Sequence, residues 1–139
     1  MAMTKNKIHK MIEKGVVYIG VYMRRRKNGK GKVGTSENSA KTRQSNIRKK
    51  NGKDFHVIAY FVLSNTTKSR LEHVESGIKM ELETVFTHVG NDHFIFPMAD
   101  RAEGYRRFVS RAIVAGMKVC ESYGWEYQLK FEEKFFEKN

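Results

Sequence analysis

The sequence predicts an α/β (α+β) domain built on a small, mostly antiparallel central sheet flanked by helices. Three observations point there. A β-branched and aromatic run at residues 16–23, a basic glycine-containing turn and a second short run at 32–36 form the pattern of a hairpin. An almost wholly apolar run at 55–63 reads as a central strand. Two long stretches, 68–86 and 101–123, repeat apolar residues at helical spacing. With 139 residues, 40% hydrophobic and 12% aromatic, the chain suits one folded domain and is too apolar for a disordered tail.

Residues 1–14 read as a short helix, with Ile8, Met11 and Ile12 on one side and Lys5, Lys7, Lys10 and Lys14 elsewhere, ended by Gly15. In the first strand, alternation puts Val17, Ile19, Val21 and Met23 on a core face. Val16, Tyr18, Gly20 and Tyr22 take the other face, where the glycine between two tyrosines leaves room for a backbone or a ligand. Arg24 to Gly31 is a turn by composition, with Gly29 and Gly31 as turn residues, since the pattern is not a P-loop. Ser36 or Asn38 caps a helix running to about residue 50. There Ala40, Arg43 and Ile47 share a face, and Lys41, Arg48 and Lys49 point elsewhere. An arginine in an apolar stripe needs an anion, whether an internal carboxylate or a ligand.

After the turn at 51–53 and the strand at 55–63, Ser64 to Thr67 opens the helix over 68–86. Leu71, Val74, Ile78, Leu82 and Val85 form its buried stripe, and Glu75 sits inside that stripe. A carboxylate there calls for a salt bridge, to Arg43 or a lysine, or for a metal. A brief strand at 93–96 follows; Asp100 caps the helix over 101–123, Gly124 stops it, and 125–131 alternates as a last strand.

Charge is uneven. Residues 1–53 hold 16 Lys/Arg against Glu13 and Glu37, a net of +14, and the remaining 86 residues hold 11 Lys/Arg against 13 Asp/Glu, a net of −2. One positive surface implies a polyanionic partner, nucleic acid before a merely solvated face. No apolar run approaches the roughly 18 residues of a membrane span, and no apolar segment follows the basic start as in a signal peptide. Cys120 is the single cysteine, so neither a disulfide framework nor a cysteine metal cluster is expected. His56, His73, His88 and His93 show no zinc spacing.

Gly20-Val21-Tyr22, then Lys32-Val33-Gly34-Thr35, then Arg43 in the following helix, then Glu75 between Val74 and Ile78 form an ordered series. The series resembles the GIY-YIG endonuclease superfamily. A divergent branch, common in phages, is similar in having lysine in place of the second motif's tyrosine. Gly90-Asn91-Asp92-His93-Phe94 resembles that branch's Gly-x-Glu-Trp-Phe strand, with substitutions. The resemblance covers about residues 15–97 of a single domain spanning 1–139; residues 98–139 form a helix-and-strand extension without a counterpart. It implies a metal-dependent endonuclease that hydrolyses DNA phosphodiester bonds. Tyr22 would orient or deprotonate water, with Tyr18 as second candidate. Arg43 would clamp phosphate, Lys32 would supply a point charge or act as base, and Glu75 would hold one Mg²⁺ or Mn²⁺. Arg24, Arg25, Arg26, Lys27, Lys30, Lys41, Arg48 and Lys49 would grip the nucleic-acid backbone. The expected partner is nucleic acid, double-stranded DNA first, with no membrane; the expected location is cytoplasmic, in a host cell if the chain is phage-encoded. Two rivals stand beside this reading. Tyr18, Tyr22 and Lys32 are also ordinary strand residues, which leaves a nucleic-acid-binding protein without catalysis or a small phage-type inhibitor.

Overall fold

Residues 16–22 are β-branched, aromatic or glycine throughout, and in the computed structural model they lie at the centre of a strand with partners on both edges. The structure describes residues 11–23, 28–37, 40–51, 54–97 and 101–132. Within them the elements run β1 (Met11–Tyr22), β2 (Asn28–Ser36), α1 (Ala40–Asn51), β3 (Phe55–Thr67), α2 (Lys68–Glu83), β4 (Thr87–Val89), β5 (His93–Pro97), α3 (Arg101–Tyr123) and β6 (Gln128–Phe131). The strands form one antiparallel sheet in the order β4-β5-β2-β1-β3-β6. The expected fold class is therefore the observed one.

The two faces of β1 feed two cores. Val17, Ile19 and Val21 join Val33, Phe94 and Phe96 beneath α2 and α3, which contribute Leu71, Val74, Ile78, Leu82, Tyr105, Phe108 and Ala112. Val16, Tyr18 and Tyr22 join Phe55, Val57 and Ile47 beneath α1. Helix α1 brings few apolar side chains, so polar bonds dock it on β3. Gln44 Oε1 accepts from Val57 N at 2.7 Å, beside the register shift between Ile19 and Gly20, and Arg48 Nε donates to Phe55 O at 2.7 Å. On α2, Thr67 caps the first turn by accepting from Arg70 N. Gly124, at φ +69°, ends α3 in the left-handed conformation that glycine adopts at least cost.

Several local expectations are corrected. Met11–Tyr22 is one strand, so residues 11–14 are not helical and Gly15 ends nothing; Met11, Ile12 and Lys14 face Thr67, Thr66 and Ser64 of β3. Residues 1–10, and the caps expected at Asn38 and Asp100, lie outside the described residues. Gly29 and Gly31 are strand residues of β2, paired with Phe96 and Phe94. The space at Gly20 is taken by the protein's own Phe55 ring, 2.3 Å from where a Cβ would stand. The helix expected to reach residue 86 stops at Glu83, the strand expected over 55–63 continues to Thr67, and the short β4 was not foreseen.

Gly31 lies under Phe108, whose ring would be 2.3 Å from an added Cβ and is itself stacked on Phe96 at 5.0 Å. With that ring fully buried, the overlap has no outlet. Gly31→Ala is expected to destabilise the protein by about 1–3 kcal/mol, read as a lower urea midpoint at unchanged slope.

Candidate active site

The β-sheet register assembles the site. Tyr18 faces Gly34, Gly20 faces Lys32, and Lys32 faces His93 across the next strand. Directly opposed residues point to the same side of a sheet, so Tyr18, Tyr22, Lys32 and His93 share the face that α1 covers. Arg43 comes to this face from α1, one turn before the buried Ile47. The ring of Tyr18 lies over Gly34, where a Cβ would be 2.3 Å from its hydroxyl.

Lys32 is only 5% exposed. A buried ammonium requires an anion, and Asp92 provides it, with Lys32 Nζ 3.1 Å from Oδ2. Asp92 is held in place by its own backbone, whose carbonyl accepts from Val33 N at 3.1 Å. Its Oδ1 receives Lys79 Nζ at 2.5 Å, and Lys79 in turn lies 3.6 Å from Glu75 Oε1, one helical turn back on α2. A chain of alternating charges thus runs Lys32–Asp92–Lys79–Glu75. Of the two partners expected for Glu75, the described structure gives the lysine and not Arg43.

Burial raises the Glu75 pKa above 4.5; Lys79 opposes the rise and the Asp92 charge adds to it. For Asp92, burial also works upward, but the hydrogen bond from Lys79 and the charge of Lys32 prevail and hold its pKa below 3.8. Tyr18 is raised above 10.0, chiefly by burial, against the lowering influence of the neighbouring Arg43; Asp92 and Glu75 push it up further. Tyr18, Arg43, Asp92 and Glu75 therefore share one electrostatic neighbourhood. A protonated phenol can donate a hydrogen bond to an anion or to water.

Two buried polar atoms in this neighbourhood, the Tyr18 hydroxyl and Arg43 Nε, make no hydrogen bond of good geometry among the described residues, although the Arg43 guanidinium lies close enough to Tyr18 to lower its pKa as a hydrogen-bond donor. No described carboxylate pairs with Arg43. Tyr22 is different. Its hydroxyl is 3.0 Å from His93 Nε2, its carbonyl accepts from the Tyr105 hydroxyl at 3.0 Å, and the Lys30 ammonium lies 5.2 Å from its ring centre. Burial, followed by the charges of Lys32 and Lys30, lowers the His93 pKa to about 4. The imidazole is thus neutral near pH 7, and its contact with Tyr22 is a hydrogen bond between neutral groups.

Of the sequence candidates, Tyr18, Tyr22, Lys32 and Arg43 converge, Lys30 borders them, and Glu75 joins through Lys79 and Asp92. Arg48 is occupied by Phe55 O and by His56 Nδ1, at 2.9 Å from Nη2. Lys49 is exposed on α1. Arg24, Arg25, Arg26 and Lys27 lie outside the described residues, as does the side chain of Lys41. The sequence reading missed Lys79, Asp92 and His93 as site residues. Lys79 carried a usable signal, an ion-pair spacing of four from a carboxylate on the apolar face; Asp92 and His93 carried none beyond their place in the fifth motif.

Among the described residues, no group of three or more His, Cys, Asp or Glu side chains is arranged to hold a metal. Magnesium sites on nucleic-acid enzymes commonly use one or two carboxylates plus substrate phosphate and water. Glu75, with its side chain 18% exposed and one ammonium as partner, fits that smaller requirement. No described helix is long and apolar enough to cross a membrane. Compared with known proteins, the chain matches no family model, and no curated sequence or solved structure is significantly similar to it.

The low His93 pKa has a consequence for stability. Between 6.5 and about 4 the unfolded chain binds the proton that the folded imidazole refuses, so stability falls as pH drops through this window. NMR titration is expected to give a His93 midpoint near 4, and His93→Gln is expected to flatten the fall in melting temperature between pH 6.5 and 5. Glu75 titrates in the opposite sense, above 4.5, and bounds the useful range from below.

Proposed function

We propose that this protein is a metal-dependent endonuclease of the GIY-YIG type that hydrolyses DNA phosphodiester bonds. The observation that carries the reading is Arg43, a half-buried residue whose buried Nε has no partner among the described residues. A half-buried guanidinium with an unpaired Nε–H and no described acid beside it is suited to a phosphate supplied from outside. The convergence of Tyr22, Lys32 and Glu75 on the same region supports the same conclusion, because the family resemblance names those residues independently.

Hydrolysis needs an oriented water, neutralised charge on the phosphate and help for the leaving oxygen. Arg43 binds two non-bridging oxygens, and the Tyr18 hydroxyl donates a further hydrogen bond. Lys32 contributes positive charge. Tyr22, hydrogen-bonded to neutral His93, accepts a hydrogen bond from the attacking water. As the P–O bond forms, the water proton leaves to bulk solvent past the Tyr22 hydroxyl, and the ester oxygen departs with the electrons of the broken bond. Glu75 would hold the Mg²⁺ or Mn²⁺ ion, which would supply Lewis-acid stabilisation of the phosphate and the leaving oxygen.

A second reading is nucleic-acid binding without cleavage. It is favoured by one observation: the Lys79 ammonium stands 3.6 Å from Glu75, where it competes with a cation.

Supercoiled plasmid incubated with Mg²⁺, Mn²⁺ or EDTA separates the two. The nuclease reading predicts metal-dependent nicking, reduced on the order of 10²-fold or more by Glu75→Gln and by Arg43→Ala, with melting temperatures close to the parent protein. Salt-sensitive DNA binding without cleavage, indifferent to Glu75, would move the assignment to the binding protein.

A further inference from the structure

Asp92 is bonded to two elements through its side chain. Its side chain is 36% exposed, yet each carboxylate oxygen meets a different ammonium: Oδ2 meets Lys32 from β2 and Oδ1 meets Lys79 from α2. Lys32 and Lys79 side chains are 7% and 16% exposed. Two largely buried cations from different elements thus converge on one partly exposed anion. The oxygens of a carboxylate are spaced much like two oxygens of a phosphate, and lysines that span the one can span the other. The neighbourhood also contains the two buried polar atoms without partners, Arg43 Nε and the Tyr18 hydroxyl. Both can donate, and both are left over when Asp92 is the only anion present.

We infer that Lys79 and Lys32 form a two-lysine phosphate clamp, closed in the free protein by Asp92 acting as an internal stand-in for the substrate's phosphodiester. This rests on the phosphodiester reading above and adds a binding residue, Lys79, and an intramolecular competitor, Asp92. The backbone of Asp92 is fixed by the bond from Val33 N, so exchange needs only rotation of its side chain toward the solvent it already touches. A phosphate entering the clamp takes over both ammonium groups and gains the Arg43 and Tyr18 donors that Asp92 leaves unused.

The test is binding of a short DNA duplex in EDTA, where no cleavage occurs. Asp92→Asn removes the competitor and is expected to tighten binding about fivefold. Glu72→Gln makes the same change in net charge at an exposed site whose partner is Lys68, and is expected to leave affinity nearly unchanged. Lys79→Gln is expected to weaken binding, and to weaken it again in the Asp92→Asn background. A gain in Asp92→Asn no larger than that in Glu72→Gln would reduce the effect to net charge and overturn the inference, as would unchanged or weaker binding. Lys79→Gln without effect would overturn it even if Asp92→Asn failed to fold. If the duplex is bound and cleaved normally in these cases, the nuclease reading survives alone; if no form of the protein binds the duplex, both fall.

Discussion

A buried lysine sets the terms for this molecule. Lys32 sits inside the sheet between Gly20 and His93, 5% exposed. Leaving its charge unpaired there would cost several kcal/mol. The anion that offsets this comes from the turn between β4 and β5, and in supplying it Asp92 fixes that turn against β2 through both its side chain and its carbonyl. Lys79 then ties α2 to the same carboxylate. One electrostatic requirement thereby joins a central strand, an edge hairpin and a helix, at the place where β2 ceases to pair with β5.

The two halves of the site differ in how their charges are met. On the α2 side, Lys32, Asp92, Lys79 and Glu75 alternate in sign and largely satisfy one another. On the α1 side, the Arg43 Nε and the Tyr18 hydroxyl are buried without such compensation among the described residues. Buried polar atoms in that state are completed in most proteins by ordered water, an ion or a ligand. The imbalance has the sign of a missing anion, which agrees with the +14 excess of residues 1–53. His93, kept neutral by burial and two nearby lysines, adds no further positive charge to this region at pH 7.

Much of this was legible in the sequence because it is local. Helix α3 begins and ends where periodicity and Gly124 put it, and the alternation at 16–22 correctly separated the residues of the two cores. Arg43 stood out as a charge beside Ile47, and Glu75 as a charge inside a buried stripe. The failures were non-local. Residues 11–14 have helix-like spacing but are drawn into β1 by pairing with residues 64–67 of β3. Gly29 and Gly31 look like turn residues until the Phe108 ring, 77 positions after Gly31, is seen to occupy the space above it. The Lys32–Asp92 and Tyr22–His93 contacts span 60 and 71 positions, and no periodicity reports such pairs. The apolar run at 93–96 did mark the strand that begins at His93, without revealing the tasks of His93 or of Asp92 in the turn before it.

The central claim is that a phosphodiester enters beside Arg43 and Lys32 with Glu75 at its flank. A crystal structure of the Glu75→Gln protein with bound duplex tests it most directly. The account predicts a backbone phosphate within hydrogen-bonding distance of the Arg43 guanidinium and the Lys32 ammonium, on the sheet face that α1 covers. A duplex bound on another face, with Arg43 and Tyr18 still unpartnered, would contradict it.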